Sequence, residues 1–290
     1  MSRNKIVDGL TAKRRIQIGR AAHHPPVNGI PSITLSHAQS VGIVREDNED
    51  SLFALTGMNA GDAKEHNFGL FVVADGMGGH QKGERASTIA AQSVARVVGS
   101  YIFSKILEEI QDFCDSKTLM ELMRSALIAA NNDVVNNVTG GGTTLTALLF
   151  MGTNAVIGHV GDSRAYMLKP GKLLQLTKDH SLVQKLYDLG ELTSEGIENH
   201  PQRNVLMRAV GQDDILEVDV SEHYVKPGSI FLLCTDGLWG CVEEEDILTI
   251  IMESSDLQNA CENLTKEANK AGGPDNITAV IVKYDYEKSK

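Results

Sequence analysis

From residue 33 the chain alternates short apolar runs with turn signals. FGLFVVADG at 68–76, TTLTALLF at 143–150, AVIGHVGDS at 155–163, RAYML at 164–168, SIFLLCTDG at 229–237 and NITAVIVKY at 276–284 are rich in Val, Ile, Thr, Phe and Leu. Gly, Asp or Pro bounds them, so they read as strands. Several are apolar at consecutive positions, which predicts strands covered on both faces. Helical periods lie between them. One predicted helix begins after Gly83 and runs to about Glu109, and a second spans about Thr118 to Val138. Two shorter ones cover 243–253 and 256–271, and Gly272-Gly273-Pro274 stops the last. Hairpin-like neighbours beside long helix pairs argue for helices on antiparallel sheets, not for βαβ repeats. No internal repeat and no long linker is visible, so a single domain is expected over 33–286. Residues 185–212 are polar and broken by Gly and Pro, and are expected to form a large surface insertion.

Charge is unevenly distributed. The 290 residues carry a formal net charge of −11. Residues 1–30 hold six of the 27 basic side chains and one of the 38 acids, so the remainder carries 21 against 37, a balance of −16. Residues 1–32 show no sustained period and are expected to be a loose basic arm. A body this acidic argues against a nucleic-acid partner and suits carboxylates that hold cations. No apolar run approaches the ~20 residues that span a bilayer, and no secretory signal is visible. The cysteines, Cys114, Cys234, Cys241 and Cys261, form no CxxC pair, so reduced thiols in a cytoplasmic protein are expected.

The chemistry-bearing pattern is a set of aspartates beside apolar runs: Asp75, Asp162 and Asp236 follow them, and Asp275 precedes one. A lone Asp there is read as a turn former. Four in one domain point further, because strands of a sheet bring their tips together. Carboxylates that close need compensation, which Mg²⁺ or Mn²⁺ supplies through oxygen ligands. Arg45 opens a second acidic patch, Arg45-Glu46-Asp47-Asn48-Glu49-Asp50. Its guanidinium is suited to forking onto a phosphate ester. Other templates fail: Gln81 breaks GxGxxG, Glu84-Arg85 replaces the Lys-Ser/Thr of a P-loop, and Gly161-Asp162-Ser163-Arg164-Ala165 misses GxSxG.

Together GIVREDNEDS, VVADGMGGHQKGE, GGTTLTAL, HVGDSRAYML, LTKDHSLV, HPQRNVLMRAVG, FLLCTDGLW and GGPDNITAVIV cover about 36–284. This set resembles the metal-dependent Ser/Thr protein phosphatases of type 2C, in their compact bacterial form. The resemblance implies a four-layer αββα sandwich, two antiparallel sheets flanked by helix pairs, with a metal centre at one end. It implies that Asp75 bridges two Mn²⁺ or Mg²⁺ ions, that the Gly76 carbonyl binds one, and that Asp236 and Asp275 complete the other site. Glu49 and Asp50 would orient water, Arg45 would hold phosphate, and Asp162 would join Asp236 at a third, weaker ion. Residues 185–212 would be a flap near the cleft that influences substrate choice.

One departure stands out. Some family members have His where this chain has Met77, and a thioether cannot donate a proton. His80 is the nearby candidate for the leaving-group acid, with water as the equal alternative. His180 and His200 are expected to support the site residues from behind or to be structural, Cys234 to lie in the core, and Trp239 to pack below the metal loop. Arg203 and Arg208 are open to peptide flanks or to local carboxylates. The expected activity is hydrolysis of phosphoserine and phosphothreonine in phosphorylated proteins, opposing a Ser/Thr kinase, by a monomer. The alternatives are a small-metabolite phosphatase and a non-catalytic phosphoprotein-binding regulator.

Overall fold

The computed structural model describes residues 30–60, 65–79, 81–107, 115–198 and 200–287. One sheet contains β1 (Ile30–Ser40), β12 (Ile277–Glu287), β11 (Ser229–Cys234), β8 (Arg164–Lys169) and β9 (Lys172–Gln175) in that order. The other contains β10 (Asp219–Tyr224), β7 (Asn154–Val160), β6 (Leu145–Met151), β3 (Glu65–Ala74) and β2 (Ser51–Ala60). All neighbours pair antiparallel. A short ribbon joins β4 (Gly76–Met77) to β5 (Gly142–Thr143).

Alternation along the central strands builds the layers. In β3, Phe71 and Val73 meet Leu148 and Phe150 of β6 and Phe231 and Val282 of the opposite sheet. Phe150 meets Phe231 edge-on across this layer, with ring centroids 5.2 Å apart. The intervening Leu70, Val72 and Ala74 face outward under α1 (Gln81–Leu107) and α2 (Ser116–Asn137). On the far side Leu232, Cys234, Ile277, Ala279 and Ile281 lie under α6 (Glu244–Glu253) and α7 (Leu257–Lys270). Each inner strand is thus covered on both faces, which is why these runs carry no polar alternation. The result is the αββα sandwich. Cys234 sits fully buried in it, as expected.

Several local expectations are corrected. Strand β1 begins at Ile30, so residues 30–32 belong to the sheet, not to the basic arm; residues 1–29 lie outside the described ones. The edge strands β1, β2, β9 and β10 had no clear apolar signature, because one side of an edge ladder is open and demands less of the sequence. Strand β11 stops at Cys234, and Thr235 leads into α5 (Asp236–Trp239), a single turn. Residues 185–212 are not wholly irregular: α3 (Leu182–Asp188) reaches into them and α4 (Ser194–Glu198) lies within them. Nor are they all at the surface. Val210 is fully buried and bridges Thr143, which ties this segment to the ribbon at the end of the sandwich.

Candidate metal and phosphate site

The carboxylates meet where the two sheets end together. Asp75 follows β3, Asp162 lies between β7 and β8, Asp236 follows β11, and Asp275 precedes β12. With Arg45, Glu49, Gly76, Met77, Asn204, Leu206 and Gln212 they line a cleft of about 300 Å³. The backbone around Asp75 is held by Thr144, whose hydroxyl accepts the Asp75 N–H and whose own N–H reaches the Asp75 carbonyl, both at 2.9 Å. Gly76 is required by close approach. A Cβ there would run into the carbonyls of Gly83 and Glu49. Gly83, inside the first turn of α1, is equally tight, since a Cβ would meet the backbone of Gly76 as well as the Glu49 carboxylate.

Asn276 stitches the early acidic loop to β12. Its amide donates to the Val41 and Asp47 carbonyls at 2.9 Å each, and its oxygen accepts the Glu49 N–H at 2.8 Å. That bond set brings Arg45 to the rim, where its guanidinium meets Asp275 at 2.8 Å while half exposed. Asp50 lies behind the cleft wall. Its Oδ2 accepts from the Thr278 hydroxyl at 2.6 Å and from Thr235 at 2.9 Å. Asn276, Thr144, Thr235 and Thr278 were not singled out from sequence, since a neutral Asn or Thr at a strand end carries no local signal for such a role.

Burial and crowding leave Asp50, Asp75, Asp162 and Asp236 reluctant to ionise. Burial raises Asp236 to about 6 and Asp50 to about 7, with the charge of Asp275 adding to both. Asp75 and Asp162 are also pushed up, first by burial and then by neighbouring aspartates. Among the described residues no three acidic, His or Cys side chains are drawn tightly enough together to enclose an ion. Like charges repel, and Asp275 turns instead to Arg45. The donors nevertheless fit a hard divalent cation. They are all oxygens, and Oδ1 of Asp236 is buried without a hydrogen-bond partner. A cation supplies the positive charge such an atom lacks.

The histidines divide as follows. His80 lies outside the described residues. His180 accepts the Gly161 N–H at 3.2 Å, stands 3.3 Å from Asp219, and packs on His159 with ring centroids 4.8 Å apart. Burial lowers both imidazoles, His159 to about 3, which suits neutral supports under the Asp162 turn. His200 accepts the Gln202 N–H in a local turn. Met77 lines the cleft, and its sulfur accepts from Gln212 at 3.5 Å. Arg208 pairs with Glu217 at 2.8 Å and Asp219 at 3.2 Å, so it is already engaged.

An acidic cleft of oxygen donors with an arginine at its rim, at one end of an αββα sandwich, has the chemistry that suits a divalent cation and a phosphate ester. The family profile described as Protein phosphatase 2C matches residues 48–271. Similar proteins include the serine/threonine phosphatase stp of Listeria monocytogenes, 35% identical over 245 residues, 84% of this chain and 93% of that one. The serine/threonine protein phosphatase PstP of Mycobacterium tuberculosis is 35% identical over 252 residues, 86% of this chain but 45% of its own length. The chain thus spans less than half of that relative. A crystal structure of the catalytic domain of PstP in complex with 2 manganese ions matches with TM-score 0.70 and 31% identity, covering 88% of this chain and 99% of that one. The chain belongs to the protein phosphatase 2C family.

Proposed function

We propose that this chain hydrolyses phosphoserine and phosphothreonine in proteins, using bound Mn²⁺ or Mg²⁺. The observation that carries the reading is the convergence of Asp75, Asp236 and Asp275 in one cleft beside Arg45. Asp75, the Gly76 carbonyl, Asp236 and Asp275 hold two cations, and Asp162 with Asp236 takes a third, weaker one. When bound, the cations acidify water near neutral pH and offset charge on the transferring phosphate. Asp50, fixed by two threonine hydroxyls, and Glu49 orient that water. Arg45 leaves Asp275 to fork onto the phosphate oxygens; its half-exposed position at the rim lets it swing. No side chain is required to form a phosphoenzyme. His80 is the candidate acid for the departing alkoxide, since Met77 holds no proton to give.

The catalytic domain in this reading covers residues 30–287, preceded by the basic arm, with 185–212 as the flap that meets the peptide. The protein acts as a monomer in the cytoplasm and opposes a Ser/Thr kinase. Unpaired Cys234, Cys241 and Cys261 support a reducing compartment; Cys114 lies outside the described residues. Among the described residues no helix is long and apolar enough to cross a membrane. The test is phosphate release from a phosphothreonine peptide after chelation, with and without added Mn²⁺, beside sugar phosphates and nucleotides. Cation-dependent release favouring the peptide is expected. Preference for the small esters would move the assignment to metabolite hydrolysis, and release from no substrate would favour a phosphoprotein-binding regulator.

A further inference from the structure

Trp239 is the only tryptophan of the chain. It closes α5, the single turn that Asp236 opens. Its indole Nε1–H donates to the backbone carbonyl of Asp162 at 3.0 Å. The guanidinium of Arg164 covers the ring, 3.6 Å from its centroid. A cation at that distance over an indole face is held by the ring's negative quadrupole.

Arg164 is itself fixed. Its Nη2 donates to Asp179 at 2.7 Å, its Nε to both Asp179 oxygens at 3.0 and 3.1 Å, and its Nη1 to the Tyr166 hydroxyl at 3.0 Å. Gln175 donates to the same Asp179 at 3.1 Å. The Arg164 and Asp179 side chains are only 16% and 6% exposed. A forked pair this sheltered keeps one geometry, unlike a surface ion pair that exchanges with water. The indole therefore sits on a rigid support.

The position of this support matters because of where the sheet ends. β8 and β11 pair as far as Arg164 opposite Cys234. Two residues beyond each of these stand Asp162 and Asp236, past the last rung of the ladder. Their carboxylates repel one another, yet both line the cleft. The indole bond continues the connection where the ladder stops, running from the α5 turn that carries Asp236 to the backbone of Asp162.

We propose that Trp239 is a positioning residue: its N–H and its Arg164 cover set the separation of Asp162 and Asp236, and so the cation affinity of that pair. This rests on the reading of the cleft as a divalent-cation site. The Trp239→Phe variant keeps a ring under Arg164 and loses the N–H. Mn²⁺ binding to the full chain is followed by the electron paramagnetic resonance signal of the free aqua ion. The proteins compared are the unmodified chain, Trp239→Phe, Asp162→Asn and the double variant.

Trp239→Phe is expected to weaken, on the order of fivefold, the ion that Asp162→Asn also weakens, and to leave tighter ions unchanged. In the Asp162→Asn background the Phe substitution is expected to add nothing, as for residues acting through one another. Arg164→Lys keeps a positive charge but loses the fork to Asp179, and is expected to shift the same ion. Unaltered Mn²⁺ binding in both Trp239→Phe and Arg164→Lys would overturn the inference alone. So would equal weakening of every ion, or a full further loss in the double variant, since either marks general loosening. An unmodified chain that binds no Mn²⁺ would overturn the reading of the cleft and this inference with it.

Discussion

Replacing Asp50 with Asn is expected to stabilise the cation-free protein at alkaline pH while impairing catalysis. Asp50 is 7% exposed, and its Oδ1 has no hydrogen-bond partner. Burial, with the charges of Asp236 and Asp275, raises its pKa from 3.8 to about 7 against the opposing threonine hydroxyls. The sign follows directly. A carboxyl whose folded pKa is raised carries no penalty below its unfolded value, and the penalty grows until pH passes the folded value. Above pH ~7 the shift of about three units corresponds to roughly 4 kcal/mol, at about 1.36 kcal/mol per unit. Asn removes that charge and keeps an oxygen for Thr235 and Thr278. Its amide N–H groups stand where Oδ1 is unpartnered, which costs about 1–3 kcal/mol. The net gain at pH 8 is about 1–3 kcal/mol, on the order of 2–10 °C in melting temperature for a domain of this size. At about pH 4.5 the charge penalty falls to roughly 1 kcal/mol, so the advantage of the variant should vanish or reverse. Thermal unfolding in EDTA by circular dichroism at both pH values is the assay. A variant that melts below the unmodified chain at pH 8, or a difference that ignores pH, would refute this reasoning. With Mn²⁺ present, turnover of Asp50→Asn should fall roughly tenfold to a hundredfold, the weight of one charged hydrogen bond to water. Stability gained at the expense of a functional carboxylate is the expected trade.

Other outcomes follow from the same cleft. Asp236→Ala and Asp275→Ala should each abolish cation-dependent hydrolysis, and near-normal turnover at micromolar Mn²⁺ would remove both from the ligand set. Arg45→Ala should lower kcat/KM by roughly tenfold to a hundredfold, the loss of one charged fork, with calorimetric Mn²⁺ affinity unchanged or higher because Asp275 loses a competitor. A collapse of Mn²⁺ binding would make Arg45 a structural partner of the carboxylates instead. Replacing residues 195–199 with Gly and Ser should depress phosphopeptide hydrolysis much more than hydrolysis of p-nitrophenyl phosphate, which has no peptide flanks. Equal losses would mean that this segment supports the cleft itself, as the buried bridge from Val210 to Thr143 would allow.

The interior of the sandwich was legible in the chain because its signals are local. β6 and β12 are apolar on both faces, since one row packs on the opposite sheet and the other on helices. The long helices announced themselves by their period, and their ends lay within a few residues of expectation. The edge strands did not, because β10, DVSEHY, faces water along much of its length and owes its conformation to β7. The site divides in the same way. Each aspartate could be seen beside its own apolar run, and the family resemblance rested on those short texts. Tertiary structure decided which tips share one end, and it set Arg45 against Asp275, 230 residues away. It also put Asp50 behind the wall between two threonines, gave Asn276 the task of holding the acidic loop, and laid Trp239 across the gap between Asp162 and Asp236. Backbone preference and side-chain period act over a few residues and are written in the order of the letters. Pairing register, burial and the repulsion of charges brought together act through space, and exist only once the two sheets have closed on each other.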